Sequence, residues 1–190
     1  MHVLLSMLLA AAPCTNPVGD AATSPDGHVK VFISRDESRR DDTSLGEVAH
    51  EDLCVSRDGG APTVLLAGRA ASATVGPERS LASFAALLFS PDGATLFFTT
   101  TGWVTSPAAH SVELASGRET FLFDGAVVAP VGKNFLASHY RLDEQHRVDS
   151  PKYRGRMETW SLVTLAGRVV RKVTEAEATR LRPALPRLRP

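Results

Sequence analysis

Apolar residues in this chain come in short runs broken by turns that carry proline and glycine. The pattern is plainest at Leu87 to Phe98. There Leu87-Leu88-Phe89 enters Ser90-Pro91-Asp92-Gly93 and Leu96-Phe97-Phe98 leaves it, which predicts two antiparallel strands and the bend between them. Pro91 fixes φ at the first corner, Asp92 can cap the turn through its side chain, and Gly93 supplies backbone freedom at the last corner. Ser24-Pro25-Asp26-Gly27 repeats the tetrapeptide, and Pro130-Val131-Gly132 reads as a decayed third copy.

One order of elements follows each turn. In the first unit it is a strand over 28–34, a charged stretch Arg35 to Asp52 expected as a solvated loop, a strand at Leu53-Cys54-Val55, the turn Asp58-Gly59-Gly60, and a strand over 63–66. The second unit gives a strand over 96–101, a loop over 102–109, a strand over 111–114, the turn Ser116-Gly117, and a strand over 120–123. The third gives a strand over 135–138, a loop over 139–157, a strand over 159–163, the turn Ala166-Gly167, and a strand over 169–173. Aligned on Gly60, Gly117 and Gly167, the units place Leu66, Phe123 and Val173 six residues later, and Val55, Val112 and Leu162 five residues earlier. Before the repeats, 15–23 is polar and turn-rich, a linker or a frayed first strand. After them, Glu175 to Leu181 suits one turn of helix, and the Pro/Arg-rich tail over 176–190 has no strand or long-helix pattern.

Units of about 40 to 65 residues, each a four-stranded meander, are the sequence signature of a β-propeller. The expected fold is all-β, a partial propeller of three four-stranded antiparallel meanders over 24–68, 84–125 and 126–175. Phe89-Ser90-Pro91-Asp92-Gly93 with Leu96-Phe97-Phe98, and Asp58-Gly59-Gly60 with Leu65-Leu66, resemble blades of the propeller of TolB, the periplasmic translocation protein. They also resemble the related amino-terminal propellers of the prolyl oligopeptidase and dipeptidyl peptidase families. The resemblance covers 24–174. Propellers close at four to eight blades, so three units imply an arc, a remnant of a longer ancestor, or a homo-oligomer that completes the ring. The peptidase relatives carry their catalytic domain after the propeller, and this chain ends before one would fit, so the resemblance implies a non-enzymatic module.

Strand direction alternates in a meander, so the Pro-x-Gly turns (Pro25, Asp26, Gly27; Pro91, Asp92, Gly93; Gly132) and the later glycine turns (Gly60, Gly117, Gly167) share one end. The middle loops share the other, and loops on a rigid scaffold are where binding resides. Candidate contact residues there are Trp103, His139, Tyr140, His146, Tyr153 and Arg154. Trp160, within a strand, is expected in the core. In the first loop three arginines meet seven carboxylates. Clustered carboxylates suit calcium, but the alternating-aspartate spacing is missing and the arginines neutralise the cluster, so no metal is expected.

Composition narrows the function further. Lys plus Arg equals Asp plus Glu at 21 each, and no global field favours nucleic acid. The six histidines show no paired metal spacing, and no nucleophile elbow, zinc-protease helix or phosphate-binding glycine loop is present. No cofactor is expected. Residues 1–14 suit a signal-peptide core or a lipoprotein leader ending at Cys14, although the usual basic start is missing. A buried first strand of a cytosolic protein is the alternative. Cys14 and Cys54 are the two cysteines, open to pairing or to remaining thiols. The expectation is a periplasmic or extracellular module that binds a protein or peptide, touching membrane only through its leader or a lipid. A regulatory fragment of a peptidase system, or a small hydrolase built on His139 and His146, are the other readings.

Overall fold

Apolar alternation with a period of two, cut every few residues by a turn, leaves the chain no option but meanders, and three form. The computed structural model describes residues 14–43, 46–70, 76–103, 106–142 and 156–182. The first sheet holds β1 (Pro17–Thr23), β2 (Val29–Thr43), β3 (Gly46–Arg57) and β4 (Thr63–Leu66). The second holds β5 (Ala85–Phe89), β6 (Thr95–Trp103), β7 (Ser106–Glu113) and β8 (Glu119–Asp124). The third holds β9 (Ala126–Val131), β10 (Asn134–Leu142), β11 (Arg156–Thr164) and β12 (Val169–Val173), and α1 (Glu175–Leu181) follows it. In each sheet spatial order equals chain order and every neighbour is antiparallel.

The sheets stack face to face. Val31, Ile33, Leu53 and Val55 of the first pack against Leu96, Phe98 and Val112 of the second and against Phe84, which leads into it. On the second sheet's other face Phe97 and Ala109 meet Val127, Phe135, Ala137 and Val163 of the third, with the rings of Phe97 and Phe135 4.2 Å apart. The two outermost faces are covered by the chain itself. Ala178 of α1 seals Trp160, Leu162 and Val173, which puts Trp160 in the core as its strand position required. On the first sheet a disulfide joins Cys14 to Cys54 across Phe32 and Val64.

The two Ser-Pro-Asp-Gly turns are built from the same hydrogen bonds. Ser24 Oγ donates to Asp26 Oδ1 at 2.5 Å and accepts from the Val29 amide at 2.9 Å. Ser90 Oγ donates to Asp92 Oδ1 at 2.5 Å and accepts from the Thr95 amide at 3.0 Å. Gly27 and Gly93 take φ of +80° and +70°, a region costly for any residue with a Cβ. The third turn differs: Pro130 lies within β9, paired with Phe135, and Gly132-Lys133 alone make the bend. β9 is an edge strand, where a missing amide donor is tolerated.

Other expectations move as well. Of the two readings of 15–23, a linker or a first strand, the strand is the one formed, over Pro17–Thr23. Arg35 to Asp52 is not a solvated loop but the continuation of β2 and β3, paired to Thr43↔Gly46. β6 and β7 likewise pair through 102–109 as far as Trp103↔Ser106, and β10 and β11 pair to Leu142↔Arg156. Hairpin strands go on pairing beyond the point where their apolar alternation stops. The glycine alignment also slips once: Val55 and Leu162 face the following sheet or cap, whereas Val112 faces the preceding sheet. Gly117 is the fourth residue after β7, whereas Gly60 and Gly167 are each the third after β3 and β11.

Two outcomes follow. Cys54→Ser opens a crosslink spanning 40 residues, and chain-entropy reasoning puts the loss near 4 kcal/mol; urea unfolding with and without reductant reads it, and the variant is expected to be insensitive to reductant. The Asp26 and Asp92 carboxyls are held below their ordinary value of 3.8, first by the serine hydroxyls and then by the His28 and Ala94 amides. A depressed folded value means that the turns add stability above the ordinary carboxylate range and lose it as pH falls through the folded value. D26N/D92N should therefore flatten the Tm profile below about pH 4 while leaving its neutral limb in shape.

Candidate functional site

At the end opposite the turns, the middle hairpins meet the connections that lead from one sheet to the next. β2 and β3 run past their neighbours there. β1 pairs no further than Ser34 and β4 no further than Leu53, so the remaining residues form a two-stranded arm on the order of 20 Å long. A bulge between Asp36 and Arg40 bends it, and Asp36 Oδ1 accepts from the Ser38 amide at 2.9 Å inside that bulge.

The root of the arm is a buried polar cluster. Glu51, 7% exposed, accepts from Arg35 Nη2 at 2.7 Å and from the Phe84 amide at 3.0 Å. His50, 3% exposed, places Nδ1 2.8 Å from Asp41 Oδ2 and Nε2 3.1 Å from Asp52 Oδ1. Asp52 Oδ1 also accepts from the Gly68 amide at 2.9 Å. The arm is thus tied to the connection between the first two sheets.

The described parts of that connection, 67–70 and 76–84, lie in the wedge between those sheets. Arg69 and Leu81 exchange both backbone hydrogen bonds at 2.9 Å. Thr100 Oγ1 donates to the Ser80 carbonyl at 3.1 Å, Ser80 Oγ donates to the Thr101 carbonyl at 3.0 Å, and the Thr101 amide donates to the Ala82 carbonyl at 2.9 Å. Beneath it His110 is fully buried, stacked on Phe98 at 5.4 Å with Nδ1 2.7 Å from Glu119 Oε1. Glu119 also meets Arg69 at 3.4 Å.

The wedge between the second and third sheets is crossed by Gly125 alone, at φ +149°, where a Cβ would lie 2.3 Å from the Ser138 carbonyl. A cleft of about 390 Å³ remains, lined by Asp124, His139, Thr159, Ser161, Val169 and Lys172. His139 sits 4.9 Å from the Phe123 ring, with Nδ1 3.2 Å from the Asp124 carbonyl and Nε2 2.7 Å from Ser161 Oγ. A carbonyl oxygen can only accept, so in this contact Nδ1 carries the proton and Nε2 accepts from the serine hydroxyl.

Of the residues expected to bind, His139 lines this cleft. Trp103 ends β6 opposite Ser106, and Tyr140 lies in β10 opposite Glu158, both at the middle-hairpin end. His146, Tyr153 and Arg154 lie outside the described residues. The turn residues stand at the far end, where a Cβ on Gly93 would lie 3.5 Å from Pro25 Cδ. Sequence reasoning missed His50, Glu51, Thr159, Ser161 and Lys172. The one available signal was that His50-Glu51-Asp52 abuts the apolar run Leu53-Cys54-Val55. Among the described residues no group of three His, Cys, Asp or Glu side chains is placed to hold a metal ion, and no helix is long and apolar enough to cross a membrane.

Three face-stacked meanders without ring closure make the chain a partial β-propeller. No protein-family model and no curated protein sequence matches it. Among solved structures it is similar to an acylaminoacyl peptidase of Pyrococcus horikoshii, at TM-score 0.51 and 10% identity, over 84% of this chain and 25% of that one. It is also similar to a prolyl endopeptidase, at TM-score 0.52 and 16% identity, over 84% of this chain and 22% of that one. The chain spans a quarter or less of the length of these peptidases, and the likeness is one of fold.

Removing the Glu51 carboxylate leaves the Phe84 amide without its acceptor. Glu51→Ala is expected to destabilise the protein by roughly 2 kcal/mol, the cost of an orphaned buried donor together with a half-exposed ion pair. Urea unfolding measures that loss, and hydrogen exchange should show faster exchange in the arm than at the turn end.

Proposed function

We propose that this chain is a non-enzymatic binding module of the cell envelope or exterior, which takes a protein or peptide partner at the middle-hairpin end of its partial propeller. The observation that carries the reading is the β2–β3 arm. A two-stranded ribbon with both edges open is costly to keep, yet here its root is fixed by Glu51, His50 and Asp52. Fixing a projecting ribbon lowers the ordering cost of any contact it makes. Its mixed charges, with Arg39 and Arg40 beside Asp36 and Glu37, suit a polar protein surface.

The Cys14–Cys54 disulfide supports the location, because such bonds persist in oxidising compartments. A sulfur held in a disulfide carries no thioether lipid, which weighs against a lipid anchor at Cys14. The blade resemblance to TolB favours an envelope setting. The fold likeness to peptidases favours a second reading, a regulatory propeller fragment of a peptidase system. A hydrolase built on the chain's own groups is the weakest reading: Ser161 sits in mid-strand between Ala137 and Lys172, where ladder pairing leaves no free amides to form an oxyanion hole.

Affinity capture from a native envelope fraction, comparing the native chain with R39E/R40E, tests the proposal. One partner should be retained by the native chain and lost about tenfold by the arm variant. Equal retention by both would remove the arm from the interface. A hydrolase captured as that partner would select the second reading.

A further inference from the structure

We infer that the cleft between the second and third sheets is a groove for an extended peptide segment, supplied by a partner and bearing an acidic group. The inference builds on the proposal that this chain binds a polypeptide, and it names a site distinct from the arm. It comes from comparing the two inter-sheet wedges position by position.

Counted from the turn glycines Gly93 and Gly132, Thr100 and His139 stand at the same position, seven residues on. Strand pairing extends the match across both sheets. Thr100 pairs with Ala108 and Phe98 with His110, as His139 pairs with Thr159 and Ala137 with Ser161. On the outer strands His110 pairs with Phe121 and Val112 with Glu119, as Ser161 pairs with Lys172 and Val163 with Val169. The lining of the cleft therefore corresponds to the surface of the second sheet on which the described parts of the connection, 67–70 and 76–84, lie. On the second sheet that surface engages polypeptide: Thr100 donates to the Ser80 carbonyl, and Glu119 holds Arg69. The third sheet presents the same surface, and Gly125 is too short a connection to cover it.

The side chains set the ligand's chemistry. Where the second sheet has the carboxylate of Glu119 to hold an arginine of the filling segment, the third has Val169, and beside it Lys172 replaces Phe121. Among the described residues the Lys172 ammonium has no carboxylate partner. At the position where the second sheet holds a cation, the third thus offers the Lys172 ammonium to an anion, with the Asp124 carboxylate in the same lining to turn a second negative group away from its own side. Thr159, exposed at the rim, adds a hydroxyl that donates to the His139 carbonyl at 3.4 Å and leaves its oxygen to accept from a peptide amide. A volume of about 390 Å³ accommodates a few extended residues rather than a folded element.

The test is a displayed random decapeptide library selected on the full chain, with the enriched peptides re-measured by isothermal titration against T159R, which fills the groove, K172E, which reverses its charge, and R39E/R40E. Enrichment of acidic peptides is expected. T159R should weaken them at least tenfold, K172E should abolish the acidic preference, and R39E/R40E should leave their affinity unchanged. Circular dichroism confirms that each variant is folded, and K172E, at an exposed position, serves if T159R is not. No enrichment, or enriched peptides that bind K172E as tightly as the native chain, would overturn the groove. If partner capture remained sensitive to R39E/R40E after such a result, the arm would stand and the cleft assignment alone would fall.

Discussion

A four-stranded sheet of this size has two apolar faces, and neither can be left in water. Burying a single Leu or Phe side chain is worth about 1.5–3 kcal/mol, whereas a lone meander keeps about half of its apolar residues wet. In this chain the faces are assigned by parity from the turn glycine. Odd offsets, as at Leu96, Phe98, Phe135 and Ala137, look toward the preceding sheet, and even offsets, as at Val31, Phe97 and Leu136, look toward the following one. The rule leaves Phe32 with no preceding sheet and Leu136 with no following one. Cys14 with its disulfide answers the first, and α1 answers the second with Ala178 buried and the Arg182 guanidinium 4.0 Å over Trp160. Three sheets stand as an arc because each end face is closed locally.

The parity rule depends on turns that hold register, since a slip of one residue sends every side chain to the opposite face. The Ser-Pro-Asp-Gly turn holds it with a serine that is nearly or fully buried, at 5% and 1% exposure for Ser24 and Ser90, bonded both to its own aspartate and to the strand beyond. Where the tetrapeptide has decayed, the two-residue Gly132-Lys133 bend keeps the same count from glycine to core. Conservation of offset rather than of sequence is what the packing required.

Much of the fold was legible for that reason. The turn residues and apolar triplets are local signals, and they located all three sheets and the core position of Trp160. The arm was not legible, because a two-stranded ribbon outside the core has no apolar face, so Arg35 to Asp52 carries charge where a strand would show alternation. Pairing across β2 and β3 is nonlocal and leaves no mark on either segment alone. The same holds at the site. His139 was found as the first residue of the expected middle loop 139–157, but Ser161 and Lys172 become neighbours only through the β10–β11 and β11–β12 ladders. The disulfide was legible only as an option, since 40 residues of separation say nothing about distance.

The location of the open cleft follows from the lengths of two connections. Twisted sheets stacked around an axis diverge outward, so every pair leaves a wedge. Between the first two sheets the connection is eighteen residues long, Ala67 to Phe84, and in its described parts the backbone of Arg69 bonds that of Leu81, the Ala82 carbonyl accepts from Thr101 and the Phe84 amide donates to Glu51. Between the second and third, Gly125 spans the gap alone, and its neighbour Asp124 is left on the wall of an open cleft. A short connection thus does more than tighten the fold. It leaves open the surface that corresponds, by strand pairing, to the one beneath the longer connection, with Val169 standing where the second sheet has Glu119 and Lys172 where it has Phe121.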